Sequence, residues 1–314
     1  MEEIREYKKL VEKRKTVGHF GIDYLDKTLG GIHKGDLILI GAASGSGKTT
    51  LARKIAVENG KAGKRVLLCS LEDLDGDLEF KELFFTYKKV ENDRGLSKGI
   101  SFEDFRNNRY VDEKLIIEAY SRIGDKFKNI TVKERKDTEY KIEDIKNFIN
   151  EAVKGDFDLF ILDHLDYVDK DTAREDDISH VTNLMKAIRG MQCATNMPII
   201  AFSHLRKANI GKGKSIIPTM DDFIGSSNKV KQATQVIMFA PDDEKNTNEL
   251  AENLKHTWCC IRKNRFGGWR NEAARLHFRT DMGFYLPTWD LVSTNYDGTK
   301  IIERKQNLGV NNDE

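Results

Sequence analysis

The sequence has almost no net charge, few cysteines and no long apolar run, and each absence removes a class of explanation. Lys and Arg number 52 against 51 Asp and Glu, leaving a formal charge of +1. Any affinity for nucleic acid therefore has to come from a local basic patch rather than a global field. The four cysteines, Cys69, Cys193, Cys259 and Cys260, form no CxxC pair and no Cys/His cluster, which excludes a zinc ribbon or a disulfide frame and fits reduced thiols. No stretch approaches membrane-spanning length, and the opening MEEIREYKKL is too charged for a signal peptide. No internal repeat is present. These absences predict a soluble intracellular protein, and 314 residues with 39% hydrophobic content are enough for one large α/β domain or two small ones.

What is present is an alternation of strands and helices. Ile4, Tyr7, Leu10 and Val11 recur at helical spacing, predicting an amphipathic helix over residues 2–15. Strand signals follow at 37–40, 65–70, 159–163, 198–204, 235–239, 258–263 and 272–279, with helices at 48–59, 142–153 and 177–195 between them. The run LFILD at 159–163 is continuously apolar, as a parallel strand buried on both faces requires. Residues 73–140 are highly charged and read as mostly helical, and those after 290 read as a polar, mobile tail. Alternation of this kind predicts an α/β fold with a doubly wound, mainly parallel sheet.

The stretch GAASGSGKTT, residues 41–50, follows the apolar LILI directly. Strand, Gly-rich loop and helix stand in the order of a phosphate-binding loop. The usual pattern has Gly where this sequence has Ala42, but that position needs a small residue more than a positive φ. Backbone N–H groups of residues 44–49 would cradle the phosphates at a helix N-terminus. Lys48 would neutralise their charge and Thr49 would ligate Mg²⁺. The expected contact stretch is Ala43, Ser44, Gly45, Ser46, Gly47, Lys48, Thr49 and Thr50.

Three strand-end residues complete the expectation. Asp163, closing LFILD, is a metal candidate once paired with the loop, although such an Asp alone is more often a turn residue or helix cap. Glu72, just past VLLCS, is the candidate base that orients water, against the alternative of a first-turn carboxylate on a helix dipole. His204, ending AFSH, is the candidate γ-phosphate sensor, although a lone His is usually structural.

Two basic segments follow. RKANIGKGKS carries Arg206, Lys207, Lys212 and Lys214 with no acid among them, and such a loop can track a sugar-phosphate backbone or be a solvated surface run. IRKNRFGGWRN, 261–271, reads as a strand, a Gly-Gly turn and a returning strand. Its Lys263 and Arg265 alternate onto one face and would serve a neighbouring subunit's nucleotide as an arginine finger and its partner, or be surface charges.

The strings GIDYLDKTLGGIHKGDLILIGAASGSGKTT, LLCSLED, FILDHLDYV, IIAFSHLRKANIGKGK, QATQVIMF and IRKNRFGG stand in the order found in hexameric DnaB-type replicative helicases, which the sequence resembles from about residue 17 to 288. The LDH, SHLRK and KNRF variants most resemble the helicase half of T7-type phage primase–helicases and Twinkle. The resemblance implies a RecA-like P-loop ATPase core with a C-terminal β-hairpin, assembled as a ring with nucleotide between subunits and single-stranded DNA in the channel. It implies ATP or another NTP with Mg²⁺ as cofactors, and it matches Lys48, Thr49, Asp163, Glu72, His204, Lys263, Arg265 and the 206–214 cations to the roles above. It adds Phe278 as an aromatic against the base.

The organisation it implies is a linker helix at 1–16, an ATPase domain at 17–289 and a polar tail at 290–314. No primase or zinc module and no N-terminal helicase domain stands ahead of the leading helix, so a separate primase, polymerase or loader is the implied partner. The implied setting is the cytoplasm of a bacterium or a phage-infected host. The expected activity is NTP-driven unwinding of duplex DNA during replication. The alternatives are a RecA/RadA-like recombination ATPase, whose relatives share KNRFG, and a non-translocating ATPase switch or loader.

Overall fold

Strand β3 (Leu37–Ala42) is buried along its whole length and apolar on both faces. The computed structural model describes residues 2–43, 47–72, 76–96, 99–124, 127–134, 139–172, 174–205, 217–223, 226–242, 254–267, 272–281, 283–295 and 301–307. Ile38 and Ile40 enter a core closed by α2 (Asp23–Leu29) and α3 (Lys48–Lys61), while Leu37 and Leu39 enter a second core closed by α7 (Ile142–Lys154) and α8 (Asp177–Thr195). Helices on both faces are why the strand shows no polar alternation.

The main sheet has ten strands. Strands β5 (Ile130–Glu134), β4 (Val66–Ser70), β6 (Leu159–Asp163), β7 (Ile199–His204), β3 and β8 (Gln235–Pro241) lie side by side in that order, all parallel. Four antiparallel strands then continue outward from β8: β9 (Leu254–Asn264), β10 (Glu272–Arg279), β11 (Phe284–Thr294) and β12 (Ile301–Asn307). A separate two-stranded pair, β1 (Thr16–Gly18) with β2 (Ile32–His33), flanks α2. Helix α1 (Glu2–Lys13) precedes it, with Ile4, Tyr7, Leu10 and Val11 all exposed.

The doubly wound α/β plan is the expected one, and α8 and β10 occupy the predicted ranges. Three features differ from the sequence reading. Within the charged segment, ITVKE forms edge strand β5 beside β4, its side chains only partly buried because one flank is open. The expected C-terminal hairpin is the first part of a four-stranded meander. The expected polar, mobile tail from 290 instead completes β11 and, at 301–307, supplies β12. IIERKQN reads as polar because an edge strand need not be apolar.

The rest of the charged segment is a small helical unit. Helices α4 (Asp77–Asp93), α5 (Phe102–Arg106) and α6 (Glu113–Ile123) enclose their own core of Leu83, Phe84, Tyr87, Val90, Phe105, Leu115 and Ala119. Buried Arg53 of α3 pairs with buried Glu82 of α4 and stacks on Phe85 at 4.8 Å. The unit is thereby tied to the helix that follows the glycine-rich loop.

Candidate active site

Parallel register brings the strand ends to one edge. Ala42 of β3 is level with His204 of β7 and Phe239 of β8, and Ser70 of β4 is level with Asp163 of β6. The Leu71 N–H donates to the Asp163 carbonyl at 2.6 Å, which holds the chain next to Glu72 against the end of β6. The peptide bond from Asp163 to His164 is cis.

The glycine-rich loop leaves β3 under steric constraint. A Cβ on Gly41 would lie 2.5 Å from the Phe223 ring, so only glycine lets that aromatic close over the strand end. Ser44, Gly45 and Ser46 lie outside the described residues, and Ala43 before them is buried. Gly47 then takes φ +87°, a left-handed geometry that favours glycine, and Lys48 opens α3. Thr49 and Thr50 are half-buried in the first helical turn.

Lys48 is buried, and its ammonium lies 2.8 Å from His204 Nδ1. An ammonium can only donate, so Nδ1 accepts and the imidazole is neutral with its proton on Nε2. Burial, the His164 ring and the Lys48 charge together push His204 below the ordinary histidine value. Burial also lowers Lys48, while the carboxylates of Glu72, Asp163 and Asp166 act in the opposite direction. The loop lysine, both expected carboxylates and the expected sensor therefore share one electrostatic neighbourhood.

Three further residues belong to this cluster, and the sequence reading missed their roles. Buried His164 stands between carboxylates, with Nε2 3.5 Å from Glu72 and Nδ1 3.2 Å from Asp166, and its ring meets that of His204 edge-on at 4.2 Å. Asp166 accepts from the His204 backbone N–H at 2.7 Å and from the Lys229 ammonium at 2.8 Å. Burial alone would raise the Asp166 carboxyl, but His164, Lys229 and the His204 N–H outweigh it and hold it well below the usual carboxylate range. His164 and Asp166 flank a strand-end Asp in FILDHLD, which is a local signal. Lys229 has none, because only the packing of α9 (Ser226–Gln232) brings it inward.

Donor atoms of His164, Asp166 and His204 lie within 4.8 Å of one another, close enough for a cation. Lys48 and Lys229 already place ammonium groups on His204 and Asp166, so the protein's own charges serve that trio. Thr49 is half-buried in the first turn of α3, and Asp163 is fully buried at the end of β6.

The remaining expected residues lie apart. Arg206, Lys207, Lys212 and Lys214 fall outside the described residues. The chain enters their segment at Leu205, whose N–H donates to the Ala42 carbonyl at 3.1 Å, and emerges at buried Ile217. Phe278, half-buried against Tyr285 at 4.9 Å, ends β10 on the same edge of the sheet as the loop.

Lys263 and Arg265 are at the opposite edge. Lys263 is level with Val236 at the start of β8, and the Arg265 N–H donates to Thr234, one residue before that strand. The Lys263 ammonium donates to the carbonyls of Val230 (2.6 Å) and Lys231 (3.2 Å), and Arg265 Nη2 to the latter at 3.3 Å. Burial and then the Arg265 charge lower Lys263 from its ordinary value. The six-residue strand β3 separates the two edges by about 20 Å.

Among the described residues, no helix is long and apolar enough to cross a membrane. No curated protein matches the chain. By fold it is similar to a solved ATPase domain, with a TM-score of 0.72 and 17% identity over 90% of this chain and 96% of that one. It is equally similar to a DnaB-like replicative helicase whose structure was described with its interactions with primase, again at 0.72 and 17%, covering 90% of this chain and 66% of that chain. A KaiC-like protein from the hyperthermophilic archaeon Pyrococcus horikoshii is similar at a TM-score of 0.51 and 17% identity, covering 85% of this chain and 96% of that one. These likenesses show a RecA-like ATPase fold. The DnaB-like helicase C-terminal domain matches residues 19–285, which favours neither the recombination ATPase nor the switch reading. The chain belongs to the DnaB-like helicase C-terminal domain family, the nucleotide-binding, ATP-dependent DNA helicases of replication.

Proposed function

We propose that this chain is the motor of a hexameric ring that hydrolyses ATP, with Mg²⁺, to move along single-stranded DNA. Backbone N–H groups of residues 44–49 hold the phosphates, Lys48 neutralises them, and Thr49 with Asp163 holds the metal. Bound there, Mg²⁺ would offset charge on the β- and γ-phosphates. The buried Lys48, ringed by Glu72, Asp163 and Asp166, fits that role because it is an ammonium already held where negative charge collects.

Glu72 orients the attacking water, with its carboxylate steadied by His164. His204 reads the γ-phosphate and passes its state into the segment of Arg206, Lys207, Lys212 and Lys214, which begins two residues later and meets the DNA. Phe278 sits against the base. Helix α1 is the linker that docks its exposed apolar stripe on a neighbouring subunit, and a primase or loader acts as a separate partner.

The observation that carries this reading is the separation of Lys263 and Arg265 from their own loop by the length of a strand. A pair so placed cannot serve its own nucleotide and suits a neighbour's. Turnover of Glu72→Gln with fluorescent nucleotide binding and forked-duplex unwinding tests the site. The variant is expected to bind nucleotide, assemble and fail to hydrolyse. Loss of binding would give Glu72 a structural role instead.

A further inference from the structure

Helix α9 touches both edges of the sheet. From its middle, the fully buried Lys229 sends an ammonium 2.8 Å from Asp166 Oδ1 and 2.7 Å from Ser203 Oγ. Asp166 in turn holds the His204 backbone N–H at 2.7 Å and accepts from the Ser203 hydroxyl. Asn228 Nδ2 fastens the helix to Thr182 of α8 at 2.7 Å. The carbonyls of Val230 and Lys231, the next two residues, are those that hold Lys263 and Arg265.

A buried ammonium is an expensive way to fill space. Taking the Lys229 charge out of water costs several kcal/mol, and its partner Asp166, whose side chain keeps 22% exposure, stays in reach of solvent. Packing alone therefore gives no reason for an ammonium at this position. Its hydrogen bonds do, because each one ends on the strand-end residues that fix His204. A displacement of the finger pair moves the carbonyls of α9, and Lys229 is rigidly part of the same helical turn. Through Asp166 and Ser203 that movement reaches the backbone of His204, whose ring meets Lys48.

We infer that Lys229 is a positioning residue that couples the Lys263/Arg265 pair at one edge to His204 at the other. In the ring reading, on which this inference rests, the nucleotide state met by a subunit's finger is thereby relayed to that subunit's own phosphate site. Short rigid links of this kind, with a buried network at one end, are what a two-state coupling needs.

The test uses the full chain with single-stranded DNA and two variants, Lys229→Met and the charge-balanced Asp166→Asn/Lys229→Met. Three quantities are read: affinity for a fluorescent ATP analogue, turnover, and amide exchange of residues 226–232 with and without nucleotide. Wild type is expected to change its exchange in α9 when nucleotide binds. Both variants should keep nucleotide affinity, lose turnover by about 10²-fold, the size expected of a misplaced active-site group, and show no nucleotide-dependent exchange in α9.

If Lys229→Met does not fold, the double variant carries the test, since it leaves neither charge of the pair without its partner. Recovery of turnover and of the exchange response in the double variant would make the pair structural and overturn the coupling. So would a wild-type α9 whose exchange ignores nucleotide. A wild-type chain that neither binds nor hydrolyses ATP would sink the ring reading itself, which is a separate result.

Discussion

The two edges of the parallel sheet hold their charges in opposite ways. At the carboxyl edge, Lys48, Glu72, Asp163, His164, Asp166, His204 and Lys229 are packed against one another, and nearly every charge meets another charge or a histidine. At the amino edge, Lys263 and Arg265 rest on neutral helix carbonyls. The first arrangement is balanced by itself and needs only a phosphate ligand to use its loop. The second keeps two positive charges without a carboxylate among the described residues, and Arg265 is exposed. In the proposed ring, one subunit would supply its own phosphate site and the finger pair of a neighbour's.

The largest test of that contrast is Arg265→Ala. A trans-acting finger typically contributes about 10³–10⁵ in turnover, so this variant should bind nucleotide and be nearly inactive. Mixed with Lys48→Ala subunits under conditions of exchange, it should regain turnover wherever an intact loop meets an intact finger. Mixed rings, proven by tagged pull-down, that stay inactive would return Arg265 to the surface.

Next in size is Gly41→Ala at the carboxyl edge. The added methyl meets the Phe223 ring at 2.5 Å, and overpacking of this kind costs about 1–3 kcal/mol. Denaturant unfolding should show that loss, and the same substitution at exposed Gly63, where nothing lies within 4 Å, supplies the reference for strain without a clash.

A smaller effect separates the proposed DNA-binding segment from both edges. Replacing Lys212 and Lys214 by neutral residues should flatten the log–log salt dependence of single-strand binding by about 0.7 for each phosphate that is no longer neutralised. Basal ATPase without DNA should persist. An unchanged slope would assign the segment to solvent.

The smallest expected effect is a pH dependence. Burial, His164 and Lys48 depress His204 in the folded chain, whereas the unfolded chain takes up that proton near pH 6.5. Stability should therefore fall as pH drops through about 6.5, because the unfolded state binds the proton first. His256 and His277, close-packed between β9 and β10 and depressed chiefly by burial, act in the same direction. His204→Gln should reduce the slope of stability between neutral and mildly acid pH without abolishing it. The Asp166 carboxyl, held low by its partners, gives its stability above the unfolded carboxylate value near 3.9 and loses it only in stronger acid.

The parts of this molecule that were legible in the sequence share one physical origin. LILI, VLLCS, LFILD and PIIAFSH are apolar on both faces because they are covered on both, so composition alone marked them as parallel strands, and the residues that end them line one edge. ITVKE and IIERKQN failed the same reading because edge strands are wetted on one flank. The network of Asp166 and Lys229 was invisible for another reason: its members are 63 residues apart, and a lysine in SSNKVKQ looks solvated until the helix is packed. The helices α4 and α6 read as charged because the core they share is a small one of aromatic and aliphatic side chains, while α4 also buries the charged Glu82, Lys88 and Glu91.

Helix α1 carries a thermodynamic consequence of its own. Isolated helices of about 12–15 residues or fewer are marginal in water, since nucleation costs more than a few turns return. The 12 residues of α1 expose their whole apolar stripe on this chain, so the free energy that holds them helical has to come from whatever surface they settle on. In the proposed ring, order in this segment follows mass action: it rises with protein concentration as neighbours become available and falls on dilution. Far-ultraviolet ellipticity measured across a dilution series would read the assembly of that ring through the folding of its leading helix.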